Sequence, residues 1–199
     1  MSPRRTSHAR TAFSLVEALV ALTITTLAGS VMLLAIESCL STTSDAVDRM
    51  IADGLATQLL DEISVRRFMA PGDSPFSISG PNASESNGSG RERFNDMDDY
   101  KNFSARPAEG IWGEAIGTGN DSGGTRNSNF RVPTSYFANW RQRIDIYFVS
   151  DTNHSVRLAG STTSNYRAVE VTIDYIHSDG RVIPLAKRRR VYAYLPPPS

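Results

Sequence analysis

From Phe13 to Ile36 the chain carries a single charged side chain, Glu17, in a run that is otherwise apolar or hydroxylated. As a helix, this run is about 36 Å long, enough to cross the hydrocarbon core of a bilayer. Arg4, Arg5 and Arg10 lie just before it. The positive-inside rule therefore keeps residues 1–12 in the cytoplasm and exports everything after the span. An acidic group near the middle of such a helix costs roughly 2.5–3.5 kcal/mol. Glu17 sits only about 6 Å of helical rise beyond Phe13, which lowers the cost but leaves a carboxylate in need of a partner.

Simpler explanations of the run fit poorly. A secretory signal has a shorter apolar core of about 7–15 residues and a small-x-small cleavage site. Glu37-Ser38-Cys39-Leu40 does not supply such a site, and Glu37 stands where a lipoprotein cysteine at 39 would need a small residue. An ordinary single-pass anchor accounts for the length and the arginines but not for Glu17.

The stretch Thr11-Ala12-Phe13-Ser14-Leu15-Val16-Glu17 resembles the processing site of the type IV prepilin and type II secretion pseudopilin superfamily. The resemblance implies that prepilin peptidase cuts between Ala12 and Phe13. It also implies that the amine of Phe13 is methylated and that Glu17 is the acid used in assembly. Ala12 departs from the family's usual glycine and is the nearest residue to it in size. The family's architecture is α+β: a long N-terminal helix with a membrane half and an amphipathic half, the latter packed on a small antiparallel sheet. The implied role is a structural subunit, a minor pseudopilin or pilin. Its implied partners are prepilin peptidase, other pilins or pseudopilins, the inner-membrane assembly platform and membrane lipid. The implied place is the inner membrane of a bacterium, with the C-terminal domain outside the cytoplasm.

The remaining sequence divides by composition. Residues 1–12 are the basic leader, 13–36 the membrane half of the helix, and 37–70 its amphipathic half. Residues 71–130 form a Gly/Ser/Asn-rich loop region, 131–195 the sheet, and 196–199 a proline tail. In the amphipathic half, Leu40, Val47, Ile51, Leu55, Leu59 and Ile63 recur at helical steps. Asp45, Asp48, Arg49, Asp53, Asp61, Glu62, Arg66 and Arg67 fall mostly on the other faces. No proline interrupts between Phe13 and Ala70, so one helix is predicted from Phe13 to about Met69, weakest at Ser41–Ser44.

Within the loop region, Asp96, Asp98 and Asp99 could be calcium ligands, and some pseudopilins carry calcium. The EF-hand spacing is absent, so a solvated acidic turn without a metal is the stronger expectation. Ile111 and Trp112 are expected to pin this region to the core. Further on, Ile144, Ile146 and Phe148 alternate with polar residues, as do Val169, Val171, Ile173 and Tyr175. His177-Ser178-Asp179-Gly180 reads as a tight turn, and Pro184 as a break or edge position in the last strand. Lys187–Arg190 are expected to pair across the hairpin with Glu170 and Asp174 on a solvated face.

The chain has 21 basic and 21 acidic residues, so no nucleic-acid footprint is expected. Its one cysteine, Cys39, lies in the helix, and the three histidines fall in the leader and in turns. No nucleophile pair, phosphate loop or zinc-protease motif emerges, so neither an enzyme nor a cofactor is expected. The competing reading is a membrane-anchored periplasmic ligand-binding module or hydrolase.

Overall fold

The computed structural model describes residues 14–196, apart from 118, 119, 122, 123, 126, 128, 130, 131 and 134. The leader, Ala12 and Phe13 lie outside the described residues. One helix, α1 (Leu15–Ser64), runs unbroken for 50 residues. The chain divides into two compact units, Met1–Val47 and Asp48–Ser199.

In the first unit every described residue is solvent-exposed. The helix is long and apolar enough to cross a membrane. The hydroxyls of Thr23, Thr25, Thr26 and Ser30 are satisfied within the helix, as hydrocarbon surroundings would require. Thr23 donates to Val20 O, Thr25 to Ala21 O and Ser30 to Leu27 O. Thr42 and Thr43 do the same to Ser38 O and Cys39 O, and the helix passes through Ser41–Ser44 intact.

In the second unit, α1 buries Ala52, Ala56, Leu59, Leu60 and Ile63. Ile51 and Leu55 only flank the core, while Leu40 and Val47 are exposed. The buried line is therefore rotated from the expected stripe toward two alanines. Their small side chains let the helix axis approach the sheet, and the larger residues pack to the side. The helix also ends at Ser64 rather than near Met69. Past that point, main-chain groups are taken by distant partners. Arg67 O accepts from Met97 N (2.9 Å), and Phe68 O accepts from Arg167 (2.9 Å).

The loop region contains a short helix α2 (Ala83–Ser86), a 3-10 turn at Asp98–Tyr100 and strand β1 (Ser104–Ala105). The pair β2 (Asn120–Asp121) and β3 (Gly124–Thr125) follows. The long strands are β4 (Trp140–Phe148), β5 (Tyr166–Ile176) and β6 (Val182–Ala193). They form a four-stranded antiparallel sheet in the order β1-β4-β5-β6. β1 comes from residues expected to be loop, being two residues long and too short to show a period. The sheet turns Ile144, Ile146, Val169, Val171 and Ile173 into the core with α1. Between β5 and β6 the predicted turn closes with His177 N donating to Arg181 O (2.8 Å) and Gly180 at φ +84°. Pro184 lies in the edge strand β6, beside a register shift at Ile173/Asp174, where a missing N–H is tolerated.

The basic run on β6 is shared between two faces. Lys187 meets Glu170 (2.8 Å) on the outer face. Arg188 reaches Asp53 on α1, and Arg190 reaches Asp61 (3.1 Å). Asp174, expected opposite this run, is instead held by Arg141 (2.9 Å) and Arg143 (2.7 Å) of β4.

Candidate functional site

The first site is the start of α1. Ser14 precedes the helix and Glu17 is its third residue. Glu17 N donates to Ser14 Oγ (3.2 Å), and Ser14 N donates to Glu17 Oε2 (3.3 Å). This reciprocal pair is a capping box, which satisfies two main-chain donors that a helix start otherwise leaves open. The Glu17 carboxylate is thereby turned back toward Ser14. The pattern Ser14-x-x-Glu17 was readable in the sequence as a cap signal. Both residues are exposed, so the carboxylate is accessible to a second group.

The second site is the buried centre of the loop region. Asp96, Asp98 and Asp99 are only 1%, 1% and 2% exposed, so the expected solvated turn is not what forms. Main-chain donors take up oxygens of Asp96 and Asp99. Asp99 Oδ2 accepts from Asn95 N (2.7 Å) and Asp96 N (3.2 Å), and Asp96 Oδ1 accepts from Asp98 N (2.8 Å). Glu85 joins them from α2, where it completes a capping box with Asn82, and its other oxygen accepts from Asn95 Nδ2. Oxygens of Glu85, Asp96 and Asp99 lie within 4.8 Å of one another, so these three could hold a hard cation. Asp98 turns away, to Arg167 Nη1 (2.5 Å).

Arg167 is fully buried on the apolar face of β5. It also donates to Phe68 O, Pro75 O (2.8 Å) and Ser77 O (2.6 Å), and it lies over the rings of Phe68 and Phe148. One guanidinium thus joins β5, the segment after α1 and the acidic turn. A second buried arginine, Arg91, forks onto both oxygens of Glu62 on α1 (3.0 and 3.1 Å), and Tyr100 OH donates to the same carboxylate (2.8 Å). Glu62 was expected among the residues that fall mostly off the packed helix stripe. Phe94, Met97 and Tyr100 anchor the loop, whereas Trp112 is half exposed. The turn carrying Trp112 crosses Gly90, where any Cβ would meet Gly113 N at 2.2 Å.

Burial pushes the Asp99 carboxyl up to about 6, and burial raises Asp96 as well. A carboxyl raised in the folded state binds its proton more tightly there than in the unfolded chain. Its stabilising effect is complete below the unfolded value of 3.8 and is lost as pH rises through about 6. Asp99→Asn keeps the acceptor oxygen and removes the charge. Urea titrations from pH 4 to 8 are expected to show the parent losing on the order of 2 kcal/mol across that range. The variant is expected to have a flatter profile and to be the more stable of the two at pH 8. An unchanged pH slope in Asp99→Asn would contradict this.

His154 packs at a tilt on Tyr166 and His177 meets Tyr175 edge-on, in separate turns, while Cys39 is exposed on α1. The geometry thus gathers Asp96 and Asp99 with Glu85, sends Asp98 to Arg167, and leaves Glu17 with Ser14. Comparison of the chain with protein-family models, curated proteins and solved structures finds no match.

Proposed function

We propose that this chain is a filament subunit of the prepilin and pseudopilin type, used as a minor component of a type II secretion pseudopilus or a type IV pilus. The observation that carries the reading is the placing of Glu17. It is the only charge between Ser14 and Ile36, at the start of an exposed apolar helix, directly after Ala12-Phe13 and a leader with Arg4, Arg5 and Arg10. The continuous α1 and the antiparallel sheet that covers its last turns support the same reading.

In the proposed mechanism prepilin peptidase cleaves between Ala12 and Phe13 in the bacterial inner membrane, with the C-terminal domain outside the cytoplasm. The freed Phe13 amine is methylated. The helix then leaves lipid for a bundle of like helices on the assembly platform. There the Glu17 carboxylate neutralises the charged N-terminus of a neighbouring subunit. Intact-mass and N-terminal peptide analysis of the native protein tests the first step. The expected terminus is methylated Phe13, and a terminus at Met1 or beyond Ile36 would overturn the reading.

One observation favours a second reading. The Ser14–Glu17 capping box gives Glu17 a use in a plain membrane anchor, so a tethered ligand-binding module or hydrolase retains support. The two readings separate on assembly.

A further inference from the structure

The edge of β4 that faces away from β5 is paired at two points and open between them. Val149 N donates to Tyr166 O of β5 (3.1 Å), so the odd residues of β4 bond inward and the even ones point to the outer edge. At one end Ile144 N donates to Phe103 O (3.0 Å); at the other, Leu158 N donates to Phe148 O (2.9 Å). The next rung from Leu158 would bring Gly160 opposite Ile146. Instead the chain turns away, with Thr162 N donating to Ala159 O and Gly160 at φ +61°. Among the described residues, the outward N–H and C=O of Ile146 therefore have no hydrogen-bond partner.

That rung opens into a cleft of about 580 Å³, within the range of pockets that hold small ligands. The Ile146 side chain belongs to the core, so Ile146 meets the cleft through its main chain. Phe76, Ile78, Phe148 and Leu158 give apolar walls, Lys101 and Arg157 are at the lining, and no Asp or Glu is among the lining residues. Arg157 is shared with Asp145, whereas among the described residues Lys101 donates only to Ile78 O.

We infer that this open rung binds the free C-terminus of a partner polypeptide that ends in an apolar residue. The occupied rungs at Ile144 and Phe148 stop an extended strand from running through, so a chain end fits where a strand does not. The last residue's N–H donates to Ile146 C=O. Its carboxylate accepts from Ile146 N–H and meets the positive lining, and its side chain takes the apolar wall.

The test uses the full-length protein in detergent micelles and two probes, acetyl-Gly-Val-Leu with a free carboxylate and the same peptide as its C-terminal amide. Calorimetry is expected to show the acid binding at least about tenfold more tightly, with the Ile146 amide exchanging more slowly in its presence. Lys101→Gln is expected to narrow the acid-to-amide ratio to about threefold or less. Equal binding of acid and amide would overturn the inference. So would no binding at millimolar peptide, or binding that leaves Ile146 exchange unchanged. Self-association that protects Ile146 without peptide would assign the rung to a second copy of the chain and overturn it likewise.

Discussion

Glu17→Leu is expected to reach the membrane, to be cleaved and to accumulate normally there, yet to fail to enter filaments. Removing a carboxylate from hydrocarbon favours membrane partition, so anchoring itself does not suffer. On the proposed reading, what is lost is the counter-charge for a neighbour's N-terminal amine. A buried charge left without its partner costs about 3–5 kcal/mol, which moves an assembly equilibrium by roughly two to four decades. Glu17→Asp keeps the charge with a shorter reach and is expected to fall between.

The helix cap at this site supplies the control. Ser14→Ala breaks the hydrogen bonds between Ser14 Oγ and Glu17, a change worth about 1 kcal/mol, and leaves the carboxylate in place. If Glu17 serves assembly, the Leu variant is far more defective than Ser14→Ala in shear-fraction or cross-linking recovery, measured beside a membrane-fraction control. Equal, mild effects would reduce Glu17 to a capping residue and put the anchored module ahead.

Arg167→Met is expected to be among the most destabilising single changes in the second unit. The substitution keeps much of the apolar stem and removes the guanidinium. Phe68 O, Pro75 O, Ser77 O and the Asp98 carboxylate then lose their donor in a site from which water is excluded. Removing one partner of a buried ion pair costs about 3–5 kcal/mol, a large part of the roughly 5–15 kcal/mol that holds an ordinary domain together. Denaturant titration should show that loss. Limited proteolysis should cut first between residues 65 and 99, the segment that Arg167 ties down. The double variant Arg167→Met with Asp98→Leu removes the stranded charge and is expected to recover part of the loss. No recovery would mean that the carbonyl contacts, not the ion pair, set the cost.

The parts of the fold visible in the sequence are those written as local period. The apolar run without proline specified α1, and alternation at Ile144–Phe148 and Val169–Tyr175 specified the two central strands. Asp179-Gly180 marked the turn, and Pro184 marked the edge. What stayed hidden depends on partners far apart along the chain. Arg91 finds Glu62 across 29 residues, and Arg167 finds Asp98 across 69. A charge is assigned to the surface by default because burying it alone is costly, and no local pattern reveals a distant counter-ion. One clue was present. Arg167 shares its strand face with Val169, Val171 and Ile173, so alternation alone placed a cation in the core. Of the candidate site, Glu17 was legible as a lone acid in an apolar run. Its cap with Ser14 was missed, although the Ser-x-x-Glu spacing carries that signal. The burial of Asp96, Asp98 and Asp99 was not legible, because it depends on Arg167 and on Glu85 from a separate helix.

The pairing of α1 with β6 has a consequence for the order of synthesis. Asp53 and Arg188 are 135 residues apart, and Leu60 and Tyr192 are 132 apart. At a ribosomal pace of about 5–20 residues per second, the strand that completes this seam emerges on the order of ten seconds after the helix it covers. During that interval Leu59, Leu60 and Ile63 wait without their finished sheet. A chain truncated before Val182 would stay in that state permanently, and it is the nascent form, not the folded one, that a holding chaperone would meet.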